Sequence, residues 1–323
     1  MPVPQLPRSV RHPRIGAPVA LALGAWPDGN VTLAALSAGG VFLSQSADLA
    51  DDGAWRRIAE PQAALSRGLA LTMTGHRARL AWSDTDGVHV STLLRSGSAR
   101  AGEVSVGPPR TVSVPEHLQP RFPLAAVAGD AETLDLFWSV DQVRLFRTTA
   151  HTADLGARQL LELAPACLPG ERLRALTACR TGQKAGWLAG VTDRGRVLAA
   201  HWDLVYDLHG PWHVLEVPIT GVVSIAVVRV QNRPMAIVAG PRGELLNANL
   251  ELAVSARSAW HWLEPPAGVP TGRITAIRAE PGPNGPWLAA ATADRIWLTV
   301  LRDHVKWLAC GPVIDIPLAP VTA

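Results

Sequence analysis

Prolines recur along this chain at a nearly fixed interval, and that interval sets the architecture. Pro61, Pro115, Pro165, Pro218, Pro266 and Pro317 are separated by 54, 50, 53, 48 and 51 residues. Three stretches superpose without a gap: Arg196 to Pro218, Glu244 to Pro266 and Arg295 to Pro317. Trp212 and Trp260 fall in one slot of this register, and Leu215, Leu263 and Ile314 fall in another three residues later. A period of this size marks a chain built from stacked supersecondary units, each unable to bury its apolar surface alone.

The grammar inside a unit identifies the element. A first apolar run (Val19 to Leu23, Leu69 to Met73, Leu124 to Val127, Leu173 to Cys179, Val222 to Val228, Ile274 to Ala279) is followed by a gap rich in turn-formers. A second run ends on Ser37, Ser83, Ser139, Thr192, Gly240 or Thr292, and a turn with Gly40, Gly87, Gly195 or Gly243 leads into a third. The segment that ends on proline is the fourth. Runs of this length bounded by turn residues are strands rather than helices. Four strands repeated six times predict an all-β fold, a six-bladed β-propeller of four-stranded antiparallel blades. The blades are expected at 15–61, 62–115, 116–165, 166–218, 219–266 and 267–317, flanked by tails at 1–14 and 318–323.

Packing explains the residue types. Blades stacked face to face bury both sides of each sheet, so a strand such as Pro234 to Gly240 is apolar almost throughout. The terminal proline suits an outer strand, where its missing N–H breaks no ladder bond. The tryptophan six residues before it (Trp55, Trp212, Trp260) is expected to fill the wide outer gap between blades.

Composition excludes several classes of function. The net charge is +3, and the arginines are scattered rather than gathered. With one tyrosine and four phenylalanines to stack on bases, nucleic-acid binding is not expected. No uninterrupted apolar run is long enough to span a bilayer, so no membrane association is expected. Cys167, Cys179 and Cys310 are odd in number and lack Cys-x-x-Cys spacing, which reads as reduced thiols of a cytoplasmic protein. The alternative location is secreted: Arg8 to Trp26 has the outline of a signal peptide, although Val19 to Leu23 aligns with the first strand of every other unit.

Catalytic and metal signatures are equally scarce. The ten histidines form neither His-x-His nor His-Glu-x-x-His, so no metal site is expected. Phosphate-loop, dinucleotide and Gly-x-Ser-x-Gly fingerprints do not occur, and no cofactor is expected. Ser83-Asp-Thr-Asp-Gly87 and Thr192-Asp-Arg-Gly195 lie where sialidase-type propellers carry Asp-boxes, which cap turns rather than catalyse.

The Gly turn and the tryptophan near the last strand resemble those of lectin-like propellers of the tectonin and fucose-binding types. That resemblance implies the fold over residues 15 to 317, and sugar binding as a family activity; here only structural positions repeat from blade to blade. The leading expectation is a non-catalytic recognition scaffold for a protein partner, or a regulatory subunit. Carbohydrate binding is the first alternative and a propeller hydrolase or glycosidase the second. Candidate binding residues are those that break the repeat: Arg95 and Arg100 in the long polar segment of unit two, Trp202, Tyr206 and His209 in unit four, and Trp262 in unit five.

Overall fold

The computed structural model describes residues 15–45, 55–59, 68–74, 76–84, 87–95, 104–115, 122–128, 133–151, 155, 157–163, 169–182, 185–203, 208–256, 259–265, 272–304 and 307–318. They form six antiparallel sheets in chain order, each built from consecutive strands, arranged as a six-bladed propeller. The innermost strands are Ala20–Ala25, Leu69–Thr74, Phe122–Ala128, Leu173–Arg180, Ser224–Val230 and Ala276–Glu280. In blades 5 and 6 they begin two residues later than the apolar runs that announce them. One short helix, Leu250–Ala253, follows the third strand of blade 5, capped by Asn249, whose side chain accepts from the backbone N–H of Glu251.

The second strands end at Ser37, Asp84, Ser139, Thr192, Ala239 and Ala291: three at the residue expected from sequence, and three one residue away from the expected Ser83, Gly240 and Thr292. The turns that follow in blades 1, 2, 4 and 5 each carry a glycine with positive φ. Gly195 has a φ of 72°, and a Cβ on it would lie 2.5 Å from the Cα of Gly221. Side chains finish the job at these turns: Thr192 Oγ1 accepts from the N–H of Arg196 at 3.2 Å, and Asp193 accepts from the N–H of Arg172 at 3.1 Å. The acid of this box therefore ties a turn, as the sequence suggests.

Blades 2 and 4 depart from four simple strands. Their outermost strand is in two pieces, Val104–Val106 with Arg110–Thr111 and Leu208–His209 with His213–Leu215, and both pieces pair with the third strand. Gly107 and Gly210 sit at the breaks and donate to the carbonyls of Thr92 and His201, each at 2.8 Å. A Cβ there would approach those same carbonyls to 3.3 and 3.2 Å.

Period-2 alternation splits each blade between two cores. In blade 3, Leu136 and Trp138 join the cluster shared with blade 2, whereas Phe137 between them joins the one shared with blade 4. The same alternation sends Leu21 and Leu23 to the core between blades 6 and 1, and Ala20 and Ala22 to that between blades 1 and 2. The tryptophans of the repeated slot pack as expected. Trp55 lies in the core with blade 6 and Trp260 in the core with blade 4, while half-buried Trp212 packs against the core between blades 3 and 4. Ring closure also relies on packing: Ile15 and Leu318 enter the core between blades 6 and 1, and Leu318 donates to the carbonyl of Asp294 at 2.7 Å.

Candidate functional site: a tryptophan cleft between blades 5 and 6

The outer strand of blade 5 is brief. His261 and Trp262 pair with Asn247 and Leu246, so Trp260 and Trp262 belong to one side of the strand and His261 to the other. Trp260 is buried, but Trp262 is 59% exposed. On blade 6 the chain turns between the third and fourth strands, where His304 donates its backbone N–H to the carbonyl of Trp307 at 3.0 Å. The imidazole of His304 lies flat on the Trp307 indole, with centroids 4.2 Å apart and planes 15° from parallel. Trp307 is 38% exposed.

Between these walls is a cleft of about 540 Å³, lined by His261, Trp262, Glu264, Pro265, Trp307, Leu308, Ala309 and Cys310. One buried side chain fixes the walls relative to each other. Asn247, fully buried on the third strand of blade 5, accepts from the N–H of Leu308 at 2.8 Å. It donates to the carbonyls of His261 and Leu308 at 3.3 and 3.4 Å. Arg233 adds a charged tie from blade 5 to Asp303 of blade 6, at 2.5 and 2.6 Å. Among the cleft residues, Glu264 is the one formal charge. Burial pushes the Cys310 thiol up to about 12, so it is unreactive at neutral pH.

Of the residues singled out from sequence, Trp262 lies in this cleft. Trp202 is fully buried between blades 3 and 4, where Phe137 lies 5.8 Å from it and the guanidiniums of Arg147 and Arg180 lie 5.9 and 6.0 Å from its ring. Both arginines converge on buried Asp135, at 3.1 and 2.8 Å. Trp202 is therefore core, not a surface platform. Arg95 is likewise committed: it is ion-paired to Asp28 and lies 5.8 Å over the Trp26 ring. The backbone of His209 pairs with that of Trp202, while Arg100 and Tyr206 fall outside the described residues. Sequence reasoning passed over Trp307, His304 and Asn247. Trp307 stands outside the repeated slot, and nothing in the sequence brings residues 262 and 307 together.

A second polar constellation sits on blade 2. His89 Nε2 is 2.8 Å from Asp84, its Nδ1 is 3.2 Å from the Thr111 hydroxyl, and its ring lies on Trp82 with centroids 5.6 Å apart. His89 and Thr111 are direct cross-strand partners, so this trio pins the broken outer strand to the blade. Among the described residues no group of His, Cys, Asp and Glu is arranged to hold a metal ion, and no helix is long and apolar enough to cross a membrane.

No family model matches the sequence, and no curated protein sequence matches it. Solved structures do match in fold. The SapL1 lectin in complex with α-methyl fucoside is 14% identical over 95% of this chain and 98% of its own, with a TM-score of 0.57. The fucose-specific lectin from Aleuria aurantia is 15% identical over 96% of this chain and 100% of its own, at 0.56. The Trypanosoma rangeli sialidase bound to the inhibitor DANA is 10% identical over 95% of this chain but 55% of its own, at 0.56. The chain thus shares the fold of lectin-like six-bladed propellers.

Proposed function

We propose that this protein is a non-catalytic carbohydrate-binding propeller, and that a sugar seats in the cleft between blades 5 and 6. The carrying observation is that two exposed tryptophans, Trp262 of blade 5 and Trp307 of blade 6, are among the residues that line it. Water-exposed tryptophan faces are unfavourable unless something apolar covers them. The C–H face of a pyranose covers an indole while its hydroxyls meet polar groups at the rim. Here Glu264 and His261 supply such groups, and the stack on His304 holds the Trp307 ring in one orientation. The volume suits a short oligosaccharide and falls in the usual range of small-ligand sites. The fucose-lectin fold neighbours support this reading.

The protein-scaffold reading rested on repeat-breaking residues, of which Trp202 and Arg95 are engaged within the molecule. The hydrolase reading has less support at this cleft, since glycoside hydrolysis ordinarily uses two carboxyl groups flanking the scissile bond and Glu264 is the one carboxylate among its lining residues. A glycan array followed by calorimetry with the free sugars tests the proposal. Trp262→Ala and Trp307→Ala should each abolish binding while melting like the parent. Silence of the parent at millimolar sugar, or binding that survives both substitutions, overturns it.

A further inference from the structure

The charge of the tryptophan cleft is one-sided. Glu264 is exposed and brings a negative charge, and no lysine or arginine stands among the described residues that line the cleft. Two arginines of blades 5 and 6 leave this balance in place. Arg233 is ion-paired to Asp303, and Arg302, the cross-strand partner of Ala309, does not line the cleft.

The aromatic lining has the same preference. An indole presents a negative π face, and a cation above it is attracted more strongly than above any other aromatic side chain. Trp262 and Trp307 are both exposed. The His304 imidazole covers one face of Trp307, with centroids 4.2 Å apart, so a ligand meets that ring on the opposite face.

Which sugars suit such a lining follows from their substituents. The carboxylate of an acidic sugar would meet Glu264 with no basic lining residue to pair it, and like charges brought together repel. A neutral hexose covers an indole but leaves the Glu264 carboxylate to water. A hexosamine with a free amine does both: its C–H face covers an indole, and its equatorial ammonium projects from the edge of the ring as a charge-assisted donor to a carboxylate. Building on the sugar-binding reading above, we propose that the cleft selects sugars bearing a protonated primary amine, of the glucosamine type, and that Glu264 is the residue that selects them. N-acetylation removes the positive charge and with it the advantage. Because Glu264 and the indoles are exposed, each attraction is modest, and together they amount to about fivefold in affinity.

Calorimetry at about pH 7, where most of a sugar amine is protonated, compares glucosamine with glucose, N-acetylglucosamine and glucuronic acid. Glucosamine should bind about fivefold more tightly than glucose or N-acetylglucosamine, and glucuronic acid more weakly than either. The preference for glucosamine should narrow as salt is raised, since it is an attraction between exposed charges. Glu264→Gln should remove most of that preference and leave glucose within about twofold of its affinity for the parent. Trp262→Ala separates this selection from sugar binding itself, because it should abolish binding of glucose and glucosamine alike. Glucosamine binding no tighter than glucose, or a preference as large in Glu264→Gln as in the parent, overturns the selection while sugar binding stands. If no sugar binds the parent at all, the sugar-binding reading falls and the selection falls with it.

Discussion

Replacing Glu280 by glutamine should make the protein more stable at neutral pH, by an amount set by how far burial disfavours its carboxylate. Burial holds the Glu280 carboxyl at about 8 against an ordinary 4.5. The unfolded chain loses this proton above pH 4.5 while the folded chain keeps it until about 8, so folding takes up a proton across that window. Stability then falls as pH rises from 4.5 to 8, and is flat beyond it, because the unfolded state binds fewer protons there. Each unit separating the two pKa values is worth about 1.4 kcal/mol, so the whole window amounts to about 5 kcal/mol and the part below pH 7 to about 3 kcal/mol. Glutamine keeps the shape and a donor but has no proton to lose. The assay is urea unfolding of both proteins from pH 5 to 9 at fixed chloride. Taking the difference between them cancels the ten histidines, which titrate in the same range. The stability of Glu280→Gln relative to the parent should climb by about 3 kcal/mol between pH 4.5 and 7 and level off above 8. A difference that stays constant with pH would show that the carboxyl ionises freely, and the argument from burial would fail.

Trp202→Ala should cost about 3–5 kcal/mol in chemical denaturation, since it empties a fully buried slot between two arginines and Phe137; a cost below 1 kcal/mol would contradict the packing. Gly195→Ala should cost at least about 1–2 kcal/mol, because the left-handed backbone penalises any Cβ and this one meets Gly221 backbone at 2.5 Å; an unchanged melting temperature would count against the turn geometry. Asn247→Asp should weaken sugar binding without touching a ligand, since a carboxylate cannot donate to the carbonyls of His261 and Leu308; Asn247→Gln recovering less than Asn247→Asp would argue against the clasp. Calorimetry should return one sugar per chain at the tryptophan cleft, and a stoichiometry near six would place binding in the repeated positions instead.

The fold was legible because its signals are local and are written six times. Proline spacing recurs at every blade, and small residues at or next to the ends of the second strands and glycines opening the next turns recur at most of them. What lay beyond reach was the third dimension of the charged and aromatic residues. Trp202 stands beside Asp203 and four residues from Tyr206 and reads as part of an aromatic surface, yet strand alternation and the facing Phe137 draw it into the core. Arg278 and Glu280 sit in a strand that the repeat marks as apolar. Only the ring geometry shows that such a strand borders the axis, where one long side chain reaches the carbonyls of three other blades.

The same contrast explains why one gap between blades forms a cleft. In the shared register, Trp262 corresponds to Val214 in blade 4 and Val313 in blade 6, and Trp307 corresponds to Leu208 and Ala256. Val214 is itself 46% exposed, so that slot faces solvent in blade 4 as it does in blade 5, and only blade 5 fills it with an indole. Residues of the repeated slot, such as Trp55 and Trp260, are buried because every blade must cover its neighbour. Trp262 and Trp307 stand outside that slot and are exposed, so neither is held by ring packing as Trp55 and Trp260 are. Two such tryptophans lining one cleft at a single blade boundary, beside His304 and the Asn247 clasp, are more than the scaffold requires, and on that surplus the proposed sugar site rests.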